Sequence, residues 1–288
     1  MKGQVALVLG VTGFVGSALA KSLIEDGWKV FGAARLRNDP KRQALESLGI
    51  QLFPFDVTRD DPAKLPDVDT LFLEIWDPSR IDLIWPINFY GVGRVVERYA
   101  GKTKIINGCT INVYGDSPDP SSEETPCRPT SDYGRSRYAQ EKLIDYFCVR
   151  SGGQGIHIRY SRSNTAKRGT IRQFAEAILA GQSLGANPDA KFQVIALEDF
   201  VRITKESLRY LASPPAVVNC CHPRFWSQRE LAETLHARLG KGKVLFDREQ
   251  GGLENSAYAD TKRMCQWFGE PQIKADALLD RVVADLLN

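Results

Sequence analysis

The sequence predicts an α/β protein, a Rossmann-type doubly wound parallel sheet with a small mixed C-terminal lobe. Three observations carry that expectation. Short apolar runs alternate with amphipathic stretches through the first 160 residues, as strands joined by helical crossovers must. The runs "VALVLG" and "DTLFLEIW" are apolar almost throughout, which suits strands buried on both faces rather than one. The first run leads directly into "VTGFVGSALA", a glycine turn opening a helix.

Taken in order, strands are expected over 4–10, 28–34, 50–55, 69–76, 103–109 and 154–160, with helices over 14–26, 40–48, 82–100 and 134–150. Ser131 or Asp132 is a good N-cap for the last of these helices. After Arg159 the pattern loosens. A helix over 170–181 is followed by strands near 192–200 and 216–221, and by helices near 227–239, 260–268 and 275–287. Residues 1–165 therefore read as the sheet domain, with the two late strands returning to it. Residues 166–288 read mainly as a lobe for substrate. The loop "GDSPDPSSEETPCRPTSD" is rich in turn formers and should lie on the substrate side.

Composition bounds the function classes. The 288 residues are 43% apolar and 25% charged, with a formal net charge of +3, too small to argue for nucleic acid or an anionic membrane. The densest basic run, "RLRNDPKR", is interrupted by Asp39. Six cysteines show no CxxC spacing and only three histidines accompany them, so no metal site and reduced thiols are expected. No segment approaches the roughly 20 apolar residues of a membrane span. The N-terminal apolar run passes into the glycine turn without a small-residue cleavage site, as a buried strand does and a signal peptide does not. A cytoplasmic protein acting on a small molecule is the expectation.

The glycine turn is the most specific signal. Gly10 permits a tight turn, Gly13 lets backbone approach a pyrophosphate, and Gly16 lets the helix pack close to the strand. Thr12, Phe14 and Val15 complete the turn, and the helix N-terminus offers N–H groups and partial positive charge to phosphates. At the end of the second strand, "WKVFGAAR" carries Ala34 and Arg35 where an acid would hold the ribose hydroxyls of NAD, with Arg37 close by. A small residue beside guanidinium suits a 2′-phosphate, so NADP is expected over NAD, unless these arginines only solvate a helix end. In "FDV", Asp56 is placed to accept from the adenine amino group with Val57 against the ring, although Asp also commonly caps a turn. Ile75, near the end of the fourth strand, falls at the carboxyl edge where such ligands bind.

These features, together with Asn88, "TINVYG", "TSDYGRSRYAQEK", Arg159 and "YADTKRMCQWFGEP", resemble the extended short-chain dehydrogenase/reductase family over most of the chain. The N-terminal third, with "VALVLGVTGFVG", "GWKVFGAAR" and Trp76, is similar to the progesterone reductase and iridoid synthase branch, which reduces enones or carbonyls with NADPH. That branch carries a Lys in the segment corresponding to "NGCTINVYG", and this sequence has none. The resemblance implies that Tyr133 exchanges a proton with the substrate oxygen and that Thr110 hydrogen-bonds that oxygen. Arg137 stands where the family has a Lys that binds the nicotinamide ribose and supports the Tyr. It also implies a homodimer through the helices at 82–100 and 134–150.

Spacing i, i+4 puts Tyr133 and Arg137 on one helix face. Bringing a free Tyr from near 10 to near 7 needs about 4 kcal/mol. A cation roughly 5 Å away at an effective dielectric of about 20 supplies about 3 kcal/mol. An Arg cannot lose its proton to a relay, which harms alcohol oxidation more than carbonyl reduction. The expectation is an NADP-dependent reductase of a carbonyl or enone. A nucleotide-sugar epimerase or dehydratase, and a non-catalytic NADP sensor or scaffold, are the alternatives. Other residues stay open between function and packing: Glu74 at the end of an apolar strand, Arg162 and Arg168 as anion contacts, and Trp76, Trp85 and Phe89 as pocket walls. Cys109 and His157 are expected in the core.

Overall fold

The structure, a computed structural model, describes residues 3–36, 41–75, 81–185, 187–247 and 258–288. In chain order the elements are β1 (Val5–Leu9), α1 (Phe14–Glu25), β2 (Lys29–Ala34), α2 (Arg42–Ser47), β3 (Gln51–Pro54), β4 (Thr70–Leu73), α3 (Val92–Tyr99) and β5 (Lys104–Thr110). There follow α4 (Asp132–Ser151), β6 (Gly155–Tyr160), β7 (Arg162–Asn164), α5 (Thr170–Ala180), β8 (Lys191–Ala196), α6 (Leu197–Glu206), β9 (Ala216–Cys220), β10 (Phe225–Ser227), α7 (Gln228–Leu239), α8 (Lys262–Phe268) and α9 (Ala275–Leu287).

The chain divides into two compact units. The first comprises Met1–Val113, Ser131–Arg159 and Val201–Val218. Its sheet runs in the order β3-β2-β1-β4-β5-β6-β9. The strands β3, β2, β1, β4 and β5 pair in parallel, with Leu7 opposite both Phe31 and Leu71, and Leu71 opposite Ile105. The order reverses after β1, and the chain returns to start β4 on its other side, which is the switch point of a Rossmann sheet. Leu7, Leu71, Leu73, Val95, Val96 and Ile105 are buried together between strands and helices. Burying each such side chain contributes about 1.5–3 kcal/mol.

The helix that carries the expected site residues has clear local causes. Ser131 caps α4, its hydroxyl accepting from Gly134 N at 3.1 Å, and Gly152 ends it in the left-handed region at φ 71°. The expected helix over 82–100 is less regular. Pro86–Gly91 forms a π-helical turn before α3 begins, and Asn88 within it donates to Ser136 Oγ of α4 at 3.0 Å.

The second unit comprises Tyr114–Thr130, Tyr160–Phe200 and Asn219–Asn288. A three-stranded sheet, β10-β8-β7, packs with α5, α7 and α9 around Phe192, Trp226, Leu231 and Leu279. Here the structure departs from the sequence expectation. The strand expected near 192–200 to return to the large sheet runs as β8 in the small one, parallel to β7 and antiparallel to β10. Both partners are three residues long, too short to announce themselves by alternation. The strand expected at 216–221 is β9, at the edge of the large sheet beside β6. Among the described residues no helix is long and apolar enough to cross a membrane.

Candidate active site

The glycine turn has the geometry its spacing demands. Gly10 sits at φ 92°, and a Cβ there would fall 2.5 Å from the Glu74 carbonyl oxygen. A Cβ on Gly16 would meet the Gly10 backbone, its carbonyl carbon at 2.9 Å. Gly13 N donates to Gly10 O at 2.9 Å, and Gly13 is the N-cap of α1. The first turn of α1 holds no acid, and no side chain caps it. Strand, turn and uncapped helix end thus form a cradle that only glycines admit and whose partial charge favours phosphate. The residues present fit a dinucleotide pyrophosphate. Of the residues between, Val15 is buried, Thr12 and Phe14 are half-buried, and Thr12 O accepts from Lys41 Nζ at 2.6 Å. Nothing in the sequence pointed to Lys41.

At the adenosine end, Asp56 behaves first as a turn cap. Its Oδ1 accepts from Thr58 N at 3.0 Å and Thr58 Oγ1 at 2.7 Å, and its Oδ2 lies 3.7 Å from Arg59 Nε. Burial works against ionisation of this carboxyl, but the Thr58 bonds and then the Arg59 and Arg35 charges hold it below its usual range. Val57 is buried beside it. Arg35 is exposed, and Arg37 and Trp76 lie outside the described residues.

The catalytic candidates converge at the carboxyl ends of β4 and β5. Thr110, the last residue of β5, is buried and hydrogen-bonds the Tyr133 phenol. Tyr133 is half-buried in the first turn of α4. Arg137, one turn later, is only 2% exposed. Its Nη1 donates to Ile75 O at 3.3 Å and its Nη2 to Gly108 O, so the fork bridges the ends of two strands. The side chain of Glu74 completes the cluster against Gly108.

The electrostatics differ from the sequence arithmetic. Burial pushes the Tyr133 phenol up, and the Arg137 charge opposes this without reversing it; Cys109 and Glu74 add to the rise. The sequence estimate counted the cation and omitted the desolvation. At neutral pH Tyr133 is therefore a protonated phenol. Cys109 is fully buried and its thiol is likewise pushed up by burial. His157 is buried, bridging Asp145 Oδ1 at 2.9 Å and Asn107 Nδ2 at 3.0 Å.

Besides Lys41, Gly108 is a site residue that the sequence alone does not single out. Gly108 lies within β5, and a Cβ there would fall 2.6 Å from Glu74 Oε1. A glycine inside an apolar strand signals close approach of another group, and "INGCT" offered that signal.

The sequence over residues 6–221 matches the model of the NAD dependent epimerase/dehydratase family. A protein of Methanocaldococcus jannaschii with the provisional name UDP-glucose 4-epimerase is 24% identical over 316 aligned positions, covering 98% of both chains. A dTDP-6-deoxy-L-talose 4-dehydrogenase (NAD(P)(+)) of Kitasatospora kifunensis is 25% identical, over 81% of this chain and 78% of that one. Among solved structures, a UDP-glucuronic acid 4-epimerase from Bacillus cereus, a mutant holding NAD and UDP-4-deoxy-4-fluoro-glucuronic acid, superposes with a TM-score of 0.83. It is 18% identical, over 98% of this chain and 99% of that one. These relatives support the family and not the enone-reducing branch.

They also correct the cofactor expectation. Several solved relatives hold NAD, whereas the sequence favours NADP. The structure supplies a physical reason. Arg35 is exposed, as a guanidinium that solvates the end of β2 would be, and its charge also acts on Asp56.

Proposed function

The chain belongs to the NAD dependent epimerase/dehydratase family, and from that premise we propose that it moves hydride at a sugar carbon of a nucleotide sugar, with NAD as the cofactor. The observation that carries the reading is the Tyr133 phenol hydrogen-bonded to Thr110 one helical turn from a buried guanidinium. The three relatives described above, named for nucleotide-sugar reactions, support the substrate class.

When bound, NAD supplies or accepts the hydride. The turn at Gly10, Gly13 and Gly16 would hold its pyrophosphate, with Asp56, Val57 and Ile75 lining its course along the strand ends. Thr110 orients the substrate oxygen, and Tyr133 gives that oxygen its proton. Arg137 contributes a fixed positive charge beneath the phenol. Because burial keeps Tyr133 protonated, the site suits reduction of a keto-sugar better than removal of a proton from a carbinol. A second reading, a cofactor-binding protein without turnover, is favoured by the engagement of Arg137 with two backbone carbonyls.

The test is titration of the purified chain with NADH and NADPH, followed by turnover on a panel of nucleoside-diphosphate keto-sugars and hexoses. Tighter NADH binding and keto-sugar reduction are expected, with the rate falling about 10²-fold or more in Tyr133→Phe. Cofactor binding with no turnover across the panel would establish the second reading. Turnover undiminished in Tyr133→Phe would remove Tyr133 from the mechanism.

A further inference from the structure

Glu74 is a carboxylic acid at the end of a strand whose four preceding residues are all buried, Thr70, Leu71, Phe72 and Leu73. Its Oε1 is buried with no hydrogen-bond partner among the described residues. Its carboxyl occupies the space over Gly108 that any side chain on β5 would fill. Its backbone carbonyl in turn presses on Gly10, so one residue forces glycine at two positions. Arg137 stands on the facing helix and reaches the strand ends on either side of this carboxyl, at Ile75 O and Gly108 O. A buried carboxyl oxygen without a hydrogen-bond partner costs stability, and such groups cluster where their charge state matters.

We propose that Glu74 is a positioning residue for proton transfer, setting the charge of the Arg137–Glu74 pair and through it the acidity of Tyr133. The inference rests on the reading of Tyr133 as the proton donor. With Glu74 protonated, the guanidinium acts alone and favours release of the phenolic proton. With Glu74 ionised, its charge offsets Arg137 and the phenol becomes a weaker acid. The two states exchange in an accessible range, because burial pushes Glu74 up to about 8 against the pull of Arg137. The titratable and charged groups facing the pair among the described residues are Tyr133 and Arg137 on α4 and Cys109 on β5. The Cys109 thiol, driven up by burial, stays neutral through that range. The proton stays on the carboxyl or leaves to solvent, and no other group changes its charge.

The experiment reads the chain without substrate, so its failure is separable from failure of the proposed function. Infrared spectra of the wild type and Glu74→Gln across about pH 3 to pH 10 follow the protonated carboxyl band. The expected result is a band that disappears with a midpoint near 8 and is missing from Glu74→Gln. The phenolate absorbance of Tyr133, taken as wild type minus Tyr133→Phe, is followed to higher pH, up to about 12, because burial raises that phenol. Glu74→Gln, which keeps the neutral shape, should bring that titration down by about one pH unit. Where reduction is observed, the fall in rate through pH 8 should vanish in Glu74→Gln. A purely space-filling Glu74 would leave the Tyr133 titration unchanged, and that result overturns the proposal. So does a carboxyl band that titrates in the ordinary range near 4.5. If Glu74→Gln does not fold, Arg137→Gln serves: the carboxyl midpoint should then rise, and a midpoint left in place refutes the pairing.

Discussion

Arg159 grips Glu141 through two hydrogen bonds, Nε to Oε1 at 2.9 Å and Nη2 to Oε2 at 2.6 Å, with both side chains buried. The pair ties β6 to the middle of α4, the helix that presents Tyr133 and Arg137. Removing one partner leaves an uncompensated charge in the interior. Glu141→Ala should therefore cost about 3–5 kcal/mol in urea unfolding. The double change Glu141→Leu with Arg159→Met, which removes both charges, should cost less than the single one.

The same carboxyl gives the fold an acid limit. Burial alone would raise Glu141, but the Arg159 hydrogen bond and the His157 and Arg159 charges outweigh it and hold the group below its ordinary 4.5. Asp145 is likewise held down against burial, by His157 and Lys142. Such groups bind fewer protons folded than unfolded, so their contribution is complete above the unfolded values and drains away as pH falls through the folded ones. Melting temperature should drop steeply below about pH 4, and the drop should be shallower in Glu141→Gln, measured from its own lower plateau.

The glycines of the phosphate turn separate from ordinary ones. Gly10→Ala meets both a left-handed φ of 92° and the Glu74 carbonyl at 2.5 Å, whereas Gly152→Ala at φ 71° meets open space. Gly152→Ala should cost about 1 kcal/mol from conformation alone. Gly10→Ala should cost more and should also abolish NADH binding, as seen by quenching of protein fluorescence on titration. Binding retained in Gly10→Ala would place the dinucleotide elsewhere.

Arg137→Lys tests what the guanidinium does. A lysine has one nitrogen where the fork has two, and it cannot serve both Ile75 O and Gly108 O in the same geometry. A buried acceptor left without its donor costs about 1–3 kcal/mol. Chemical denaturation should show that loss in Arg137→Lys, despite the return to the residue the family ordinarily carries.

What was legible in the sequence follows the range of the interactions concerned. The central strands β1 and β4 announced themselves because each is buried on both faces and reads as a nearly unbroken apolar run. The glycine turn and the Ser131 cap are local, and the residues of each sit within six positions of one another. Arg35 was misread because an exposed guanidinium at a strand end has the same sequence signature whether it meets a phosphate or water. The Glu74–Gly108 fit was hidden because its two residues lie on different strand ends. A glycine in a strand says that something comes close without saying what. The misplacement of β8 came from partners so short that no periodicity could form, and the sign of the Tyr133 shift depended on burial that spacing does not encode.

The path of the chain has its own consequence. It leaves the first unit after Val113, re-enters at Ser131, leaves again after Arg159, and comes back at Val201 to lay β9 beside β6 before departing at Asn219. Neither unit can be cut out of the gene as one uninterrupted piece. A polypeptide stopped at the end of β6 would keep the glycine turn, Thr110, Tyr133 and Arg137, yet would expose a bare apolar strand margin of Ile156 and Ile158 to its neighbours. Such a fragment is a template for intermolecular pairing, so the unit that carries the glycine turn depends on the later strand β9 to cover that margin.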